Sequence, residues 1–413
     1  MFYSNSIKSF ILAVILLPCV ACGSYNYHMK RMMRPYVRGD YETALKRLDD
    51  WKYRKSDKLL YLLNRGTILH VAGSYKESNK VFESAEDLIE LYDKQGAARQ
   101  VAATVTNDWA LRYTGEKFER LLINVFKMLN YAALNEWDEA LVEVRRINTN
   151  YEDFFKNKDK EYLDNVFAKY FQAMVWKVNG KPNDAYIDLK HIALGGHKIP
   201  GLEKELYCLS KKIGMYSDSE MWRKKFNLDK NIKCESAKGE VELIYVLEAG
   251  RAPKKVSTEH EADLQVLPAP AYEKCPADFV KARVSIGKKS EATYVLEDVA
   301  ETAEASLKDL MPGIISRAVA RLVVKEGAAV AVGKEVDSGL GIALGILMLA
   351  TNRADTRSWL TLPETMQMAR LSVKKRVYDI KVEYLDSNGH ARGHDSYEKF
   401  NLNRPKLIVK RTF

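Results

Sequence analysis

The 413-residue sequence predicts an α+β protein, in which an N-terminal solenoid of helix pairs precedes a small antiparallel β domain that carries an inserted apolar helical hairpin. Three observations predict this architecture. Gly39-Asp40-Tyr41 returns 34 residues later as Gly73-Ser74-Tyr75, so the first half of the chain is repetitive. After Leu228 the helical spacing of apolar residues gives way to the alternation that is typical of strands. Residues 339–350 then form a run without any charge.

Residues 1–21 are predicted to be a signal peptide. Lys8 precedes an apolar run over residues 10–18, which is too short to span a bilayer as a permanent helix. The run leads into Val20-Ala21-Cys22, which resembles the cleavage motif of bacterial lipoprotein signals, although Cys19 stands where leucine is usual. The resemblance implies lipidation of Cys22, followed by a linker over residues 22–38. The alternatives are an ordinary signal or an uncleaved anchor.

The residue after the predicted lipid site bears on localisation. Gly23 stands there rather than an aspartate, and by resemblance to the sorting rule of Gram-negative lipoproteins this favours the outer membrane. The protein is therefore expected to be lipid-anchored in the outer membrane with its body in the periplasm. Its formal net charge of +10 suits contact with anionic lipid or acidic wall polymers, and equally suits a solvated basic surface. No nucleic-acid partner is predicted.

Three cysteines remain in the body of the protein, Cys208, Cys234 and Cys275. Export would place them in an oxidising compartment. Their odd number allows one disulfide and one free thiol, and their spacing fits neither a zinc site nor a disulfide framework. The sequence leaves open whether they form a disulfide.

Residues 39–226 are predicted to be helical repeats. The turn glycines, the small residues and the aromatic residue that opens each second helix resemble the tetratricopeptide repeat. The second unit matches best, and two looser units follow at wider spacings. An irregular helical bundle is the alternative. The residues that carry the pattern are Gly39, Tyr41 and Ala44; Gly66, Gly73, Tyr75, Phe82 and Ala85; Trp137 and Ala140; and Gly180 and Ala185.

The apolar face of each helix dictates how such units assemble. In the first unit, apolar residues from Tyr41 to Trp51 recur at three and four positions and must be buried against a neighbour. One unit cannot close a core alone, so units stack and leave an extended concave surface, which in such arrays usually holds peptides or proteins. The sequence therefore predicts envelope protein partners, bound through the repeats.

Residues 227–298 and 351–413 are predicted to form the β domain. An apolar run over residues 240–247 predicts one strand, and further strands are expected on both sides of Gly287. Residues 378–384 alternate between apolar and charged side chains, and Asn388-Gly389 then supplies a tight hairpin turn. Residues 406–411 form the last predicted strand.

Residues 299–350 are predicted to be the inserted helical hairpin. Its uncharged end runs from Gly339 to Ala350, which as a helix covers about 18 Å, well short of the ~30 Å hydrocarbon core. It cannot span a bilayer alone. Two interpretations remain. The run either inserts into a membrane or a partner's apolar groove, where Gly341 and Gly345 would allow close helix contact, or it is buried against the rest of the protein.

A mixed-charge and aromatic cluster, Asp355, Arg357 and Trp359, follows this hairpin and is a candidate docking edge; the alternative is that it pins a domain junction. Together with the predicted lipid site and the repeats, the stretches over residues 119–124 and 354–363 resemble a family of uncharacterised Gram-negative envelope lipoproteins with tetratricopeptide-like repeats and a C-terminal β domain. The resemblance implies a non-catalytic role in the envelope.

Signals for catalysis are weak. Residues 327–334 depart from the phosphate-binding loop in spacing and place Glu335 where a serine or threonine should bind metal, and His390 and His394 lack an HExxH pattern. No enzyme activity, cofactor or metal is predicted. The function indicated is a scaffold that binds protein partners in envelope assembly or wall synthesis. The alternative is a lipid-binding or membrane-remodelling protein that inserts the 339–350 run.

Overall fold

The computed structural model describes residues 24–95, 111–154, 161–234, 239–262, 265–335 and 354–413, and confirms the α+β class. The predicted signal peptide, Cys22 and the 339–350 run lie outside the described residues. The helices are α1 (Ser24–Val37), α2 (Tyr41–Asp49), α3 (Lys58–Val71), α4 (Tyr75–Lys94), α5 (Lys117–Ala133), α6 (Trp137–Phe154), α7 (Val166–Val178), α8 (Pro182–Leu194), α9 (Leu202–Lys212), α10 (Tyr216–Lys225) and α11 (Val299–Glu335). The strands are β1 (Glu240–Ala249), β2 (Lys254–Ala262), β3 (Gln265–Glu273), β4 (Lys281–Ile286), β5 (Lys289–Ala292), β6 (Tyr294–Asp298), β7 (Thr365–Lys374), β8 (Arg376–Leu385), β9 (Ala391–Leu402) and β10 (Lys406–Arg411).

Helices α1 to α10 pack as consecutive pairs. The turn within a pair needs one residue in the left-handed region, which glycine adopts without steric cost. Gly39, Gly73 and Gly180 supply it with φ of +78°, +77° and +68°. In the third unit Asn135 takes the same conformation, with φ of +62°. The third unit therefore has the same turn as the other units, although asparagine replaces glycine and the unit follows at a wider spacing in the sequence.

The small residues of the repeat pattern lie where paired helices approach most closely. A Cβ atom added to Gly66 on α3 would lie 2.5 Å from the Phe82 ring on α4, so only glycine fits there. The alanines Ala44, Ala85, Ala140 and Ala185 are fully buried. The aromatics Tyr41, Tyr75 and Trp137 each begin the second helix of a pair.

The stretch expected to be a linker is instead largely helical. Helix α1 begins at Ser24 and pairs with α2. Its side chains Tyr25, Met29, Met32 and Tyr36 are buried, and their spacing of four, three and four residues is that of one helical face. The cations between them mask this face in the sequence, which is why the linker prediction was wrong.

The strands form two four-stranded sheets and a separate hairpin. The central sheet has the order β10-β1-β7-β6, the outer sheet has the order β5-β4-β8-β9, and β2 pairs with β3 alone. The predicted strands over 240–247, 378–384 and 406–411 are present. One expectation was wrong, because β1 and β10 run parallel and the β region is mixed rather than purely antiparallel. Parallel neighbours need a long crossover, and local alternation cannot reveal such pairing.

Strand β1 joins the two halves of the protein. Its Ile244 and Val246 belong to the same buried cluster as the helical repeats, whereas Leu243 and Tyr245 pack towards the outer sheet. The strand is thus buried on both faces, which explains its continuous apolar sequence. Helices, central sheet and outer sheet form three layers, with one core between the helices and the central sheet and a second core between the two sheets.

Helix α11 begins directly after β6 and continues through Pro312 to Glu335. It covers the first part of the predicted hairpin, and the remainder of that prediction lies outside the described residues. Within the described ranges, no helix combines the length and apolar character that crossing a membrane requires.

Two of the three body cysteines are paired. Cys208 on α9 forms a disulfide with Cys234, which follows α10. Cys275 is half-buried and is a free thiol. The disulfide ties the end of the helical array to the segment that leads into β1.

Glu297, at the end of β6, provides a test of the buried core. Burial raises the pKa of its carboxyl to about 8, and only the hydroxyl of Thr302, which donates to Oε1 at 2.7 Å, partly opposes this. Because the folded-state pKa lies above the unfolded value, the native state binds the extra proton, and stability falls as pH rises from about 4.5 to 8.

Replacing Glu297 with glutamine should remove this loss and keep an acceptor for Thr302. A shift of one pKa unit is worth about 1.4 kcal/mol. We therefore expect Glu297→Gln to exceed the wild type in free energy of unfolding by a larger margin at pH 8.5 than at pH 5, with a difference between the two margins of at least about 2 kcal/mol. Urea unfolding at both pH values measures it. An equal gain at the two values would contradict the buried neutral carboxyl.

Candidate functional site: the covered face of the helical repeats

The first helices of the central pairs are buried on nearly every side. Most residues of α3, α5 and α7 are buried, whereas α4, α8 and α10 keep a solvent-exposed face. A free repeat array would expose one side of its first helices. Here the C-terminal part of the chain covers that side.

Trp359 is the centre of this cover. Its ring lies between Phe82 of α4 and Phe126 of α5, with centroid distances of 5.9 and 5.7 Å. Its indole N–H donates to the Thr67 hydroxyl at 2.9 Å, and its backbone N–H donates to a Glu119 oxygen at 3.1 Å. A residue from the segment after the predicted hairpin therefore fills a socket in the repeats.

Arg357 fixes the same segment through charge. Its guanidinium donates to Asp57 at 2.7 Å, to both oxygens of Asp355 at 2.9 and 2.7 Å, and to the Leu111 carbonyl at 3.0 Å. The Arg357 side chain is only 2% exposed, and a buried guanidinium of this kind needs such complete pairing. The sequence allows two interpretations of the Asp355-to-Trp359 cluster, either a docking edge or a domain junction. In the structure it lies at an internal junction.

Helix α1 closes the other side of the segment. The Tyr25 hydroxyl donates to the Ser358 carbonyl at 2.9 Å, and the Tyr36 hydroxyl donates to the Thr361 carbonyl at 3.1 Å. Arg411 of β10 also donates to the Thr361 carbonyl. Residues 355–362 are therefore enclosed between α1, the repeats and the last strand, and we call them the inserted segment.

The central sheet continues the cover along the later repeats. Arg370 of β7 donates to Glu205 of α9 at 2.7 Å and also to the Tyr170 hydroxyl of α7 and to Glu242 of β1. Lys177 binds the same Glu205 at 2.6 Å. Burial raises the pKa of Glu205, but the two cations outweigh burial and lower the pKa to about 2.

A second buried polar cluster joins α3 to the sheet. His70 contacts Glu248 of β1 at 2.8 Å through Nε2 and Asn130 of α5 through Nδ1. Burial raises the pKa of Glu248, but the attraction of His70 and Arg411 outweighs it and keeps the pKa below its usual value. The His70 and Glu248 side chains are both buried, and their charges hold structural elements together.

Glu116 and Glu119 form the acidic pair that most resembles a catalytic site. Burial raises the pKa of Glu119, and the nearby charge of Glu116 adds to the rise. Yet Glu119 already accepts from the Tyr113 hydroxyl, from the Glu116 backbone and from the Trp359 backbone. Glu116 is bound by Lys255 and by Ser306. The pair caps α5 and supports the inserted segment. Among the described residues, no group of three metal-binding side chains occurs.

The outer face of the last repeats is exposed and partly apolar. Ile187 and Leu194 of α8 are 62% and 61% exposed, and Tyr216 of α10 is 66% exposed. Met215 and Met221 are also exposed. The two helices are held side by side, because Asp218 accepts bonds from Tyr186 at 2.5 Å and from Lys190 at 2.7 Å. We use the name outer apolar surface for the exposed apolar side chains of these two neighbouring helices and the turn before α10, which are Ile187, Leu194, Met215, Tyr216 and Met221.

The outer apolar surface, the role of Arg370 and helix α1 were not predicted from the sequence. The outer residues could have been noticed as apolar positions on the polar side of amphipathic helices. The partners of Arg370 lie 128 to 200 positions away in the chain, and no local pattern indicates them.

No protein-family model matches the sequence, and no curated protein matches it significantly. Several solved structures are similar at low identity. MamA from Desulfovibrio magneticus RS-1 is 14% identical over 49% of this chain and 90% of its own, with a TM-score of 0.31. A tetratricopeptide repeat protein from Parabacteroides merdae is 16% identical over 50% and 68%, with a TM-score of 0.32. The tetratricopeptide-like repeats of a putative kinesin light chain from Podosopora anserina are 12% identical over 49% and 92%, with a TM-score of 0.33.

Proposed function

We propose that this protein is a non-catalytic scaffold of the bacterial cell envelope that binds a protein partner through the outer apolar surface of α8 and α10. The proposal includes lipidation of Cys22, attachment to the outer membrane and a periplasmic body, on the basis of the sequence. Assembly of an envelope complex or of the wall is the process that such a scaffold would serve.

The outer apolar surface is the observation that carries this proposal. Five exposed apolar side chains lie on two neighbouring helices and the turn before α10, and tyrosine and methionine are enriched in interfaces. The covered face of the repeats is already filled by the inserted segment and the central sheet. A partner must therefore bind elsewhere, and the later repeats offer apolar contacts on rigid helices.

The polar clusters support the non-catalytic part of the proposal. A general base needs a lone pair that can reach a substrate. The oxygens of Glu119 are engaged by three structural donors, and Glu248 is fully buried between His70 and Arg411. These groups stabilise the junction of helices and sheet.

Site-specific photocrosslinking in intact cells tests the partner surface. A photoreactive residue at Tyr216 should capture one defined envelope protein. Ile187→Glu should reduce the amount of that crosslinked product at least tenfold. A tenfold change corresponds to roughly 1.4 kcal/mol, and burying the new charge in the interface costs more than that. Leu91→Glu is the matched control, since Leu91 is an exposed leucine on α4 at a distance in the chain from this surface. Equal yields for the two glutamate variants would contradict the proposed surface.

The anchor is tested independently. The mass of the N-terminal peptide shows whether Cys22 carries lipid, and Cys22→Ala should release the protein from washed outer membranes. Retention of the alanine variant together with an unmodified Cys22 peptide would refute the anchor while leaving the partner surface standing.

A further inference from the structure

A groove of about 850 Å³ lies between α1 and the start of β2. Its floor is apolar, and part of it is formed by the inserted segment. This volume lies within the range of small-ligand sites. The groove is distinct from the outer apolar surface, which lies on α8 and α10. Its apolar lining residues include Met29, Met33, Val37, Ala252, Val256 and Leu360.

The rim of the groove is cationic. Lys30 and Arg34 lie four residues apart and therefore on one side of α1, and Arg38 follows four residues later in the turn directly after the helix. The opposite wall carries Arg251 and Lys254. Neither an aspartate nor a glutamate is among the described residues that line the groove. The charged side chains among the described lining residues are therefore all positive.

Most of these cations have no counter-charge. Lys254 pairs with Glu273 at 3.1 Å, but within the described part of the chain Lys30, Arg34, Arg38 and Arg251 form no ion pair. Like charges four residues apart on a helix are destabilising. Arg34 lies in the last turn of α1, where a cation favours the helix dipole, but this does not account for the whole set of cations around the groove, whereas an anionic ligand does.

The apolar floor narrows the class of anion. A free inorganic anion would gain nothing from Met33, Val37 and Leu360, because these side chains offer only apolar contact. Methionine is flexible and fits irregular aliphatic chains, and guanidinium groups bind phosphate in a bidentate manner. The combination fits an amphiphile with an aliphatic chain and an acidic head.

We propose that this groove binds an anionic phospholipid, with an acyl chain on the methionine-lined floor and the phosphate held by Arg34, Arg38 and Arg251. The preference for a lipid over an acidic peptide rests on the proposed anchor. Ser24, at the start of α1, is two residues from Cys22 in the sequence. If Cys22 carries lipid, at most about 7 Å of chain separates α1 from the membrane surface. The chemistry of the groove does not depend on the anchor.

The experiment uses the full chain in mild detergent with a trace of photoactivatable phosphatidylglycerol. Peptide mapping should place the label on residues 24–38 and 251–257. Unlabelled phosphatidylglycerol should compete, whereas phosphatidylcholine with the same chains should not. Arg34→Glu should reduce labelling about tenfold, the effect of losing one charge-assisted hydrogen bond. Arg31→Glu is the matched control, because Arg31 lies on the same helix outside the groove lining.

A second variant separates the groove from simple surface attraction. Met33→Gln keeps the charge and removes apolar contact, so it should also weaken labelling, while attraction by charge alone would be insensitive to it. Three results would each overturn the proposal. The first is labelling of Met33→Gln as strong as that of the wild type, and the second is competition by phosphatidylcholine as effective as that by phosphatidylglycerol. The third is competition by an acidic amphipathic peptide but not by phosphatidylglycerol. The Tyr216 crosslink should be unchanged by Arg34→Glu, so failure here is distinguishable from failure of the proposed scaffold.

Discussion

Replacing Trp359 with alanine is expected to lower the free energy of unfolding by about 3–5 kcal/mol, the range observed for large aromatic residues in cores. The indole is 1% exposed and lies against Phe82 and Phe126 from two different helices. Its removal leaves a cavity and also deprives the Thr67 hydroxyl of its donor. Urea unfolding of the full chain measures the loss.

Trp359→Phe separates packing from hydrogen bonding. Phenylalanine keeps most of the ring contact and loses the indole N–H, so a smaller loss of about 1–2 kcal/mol is expected. Hydrogen exchange then locates the change: amides of α3 and α5 should lose protection in the alanine variant before those of α9. Uniform loss of protection, or a change in unfolding free energy below about 1 kcal/mol, would show that the socket does not hold the cover in place.

The filled socket changes how the repeats are interpreted. A repeat array alone predicts an open surface for partners, yet this chain supplies its own occupant, residues 355–362, in the same molecule. Because the segment is tethered, its effective concentration at the socket is high, and an external peptide would have to displace it. A partner that binds the exposed side of α8 and α10 meets no such competition.

Much of the helical half could be predicted from sequence because its determinants are local. Gly39, Gly73 and Gly180 mark turns that require a positive φ, and Gly66 marks a close approach to Phe82. Asn135 at the third turn shows the limit, since asparagine also adopts this conformation but is a weaker signal. Helix α1 was missed because charged residues interrupt its apolar face.

The β region and the junction depended on distant residues. Strand β1 was recognisable from its apolar run, but its neighbours β7 and β10 come from the last fifty residues of the chain, and β7 was not predicted. The cluster around Arg357 was conspicuous in the sequence as a docking edge or a junction. Its partner Asp57 lies 300 positions away in the chain, so the local sequence could not show that this cluster binds the repeats of the same molecule.

Replacing Arg370 with methionine is expected to cost about 3 kcal/mol at pH 7, because it leaves Glu205 and Glu242 partly buried with one cation fewer. The effect depends on pH. The folded-state pKa of Glu205, about 2, lies below its unfolded value, so its stabilising contribution is present above about pH 4.5 and is lost as pH falls towards 2. The difference between wild type and variant should therefore shrink below about pH 4.

Arg283→Met is the matched control for this loss. Arg283 pairs with Glu383 at 3.2 Å, but both side chains are nearly half exposed, so its removal should cost no more than about 1 kcal/mol. Denaturant unfolding at pH 7 and at pH 3.5 compares the two variants. A loss for Arg370→Met that is the same at both pH values would mean that the arginine acts through its aliphatic packing alone. A loss that shrinks at pH 3.5 means that the charge of Arg370 joins the sheet to α7 and α9, and that acid weakens this contact as the stabilising contribution of Glu205 is lost.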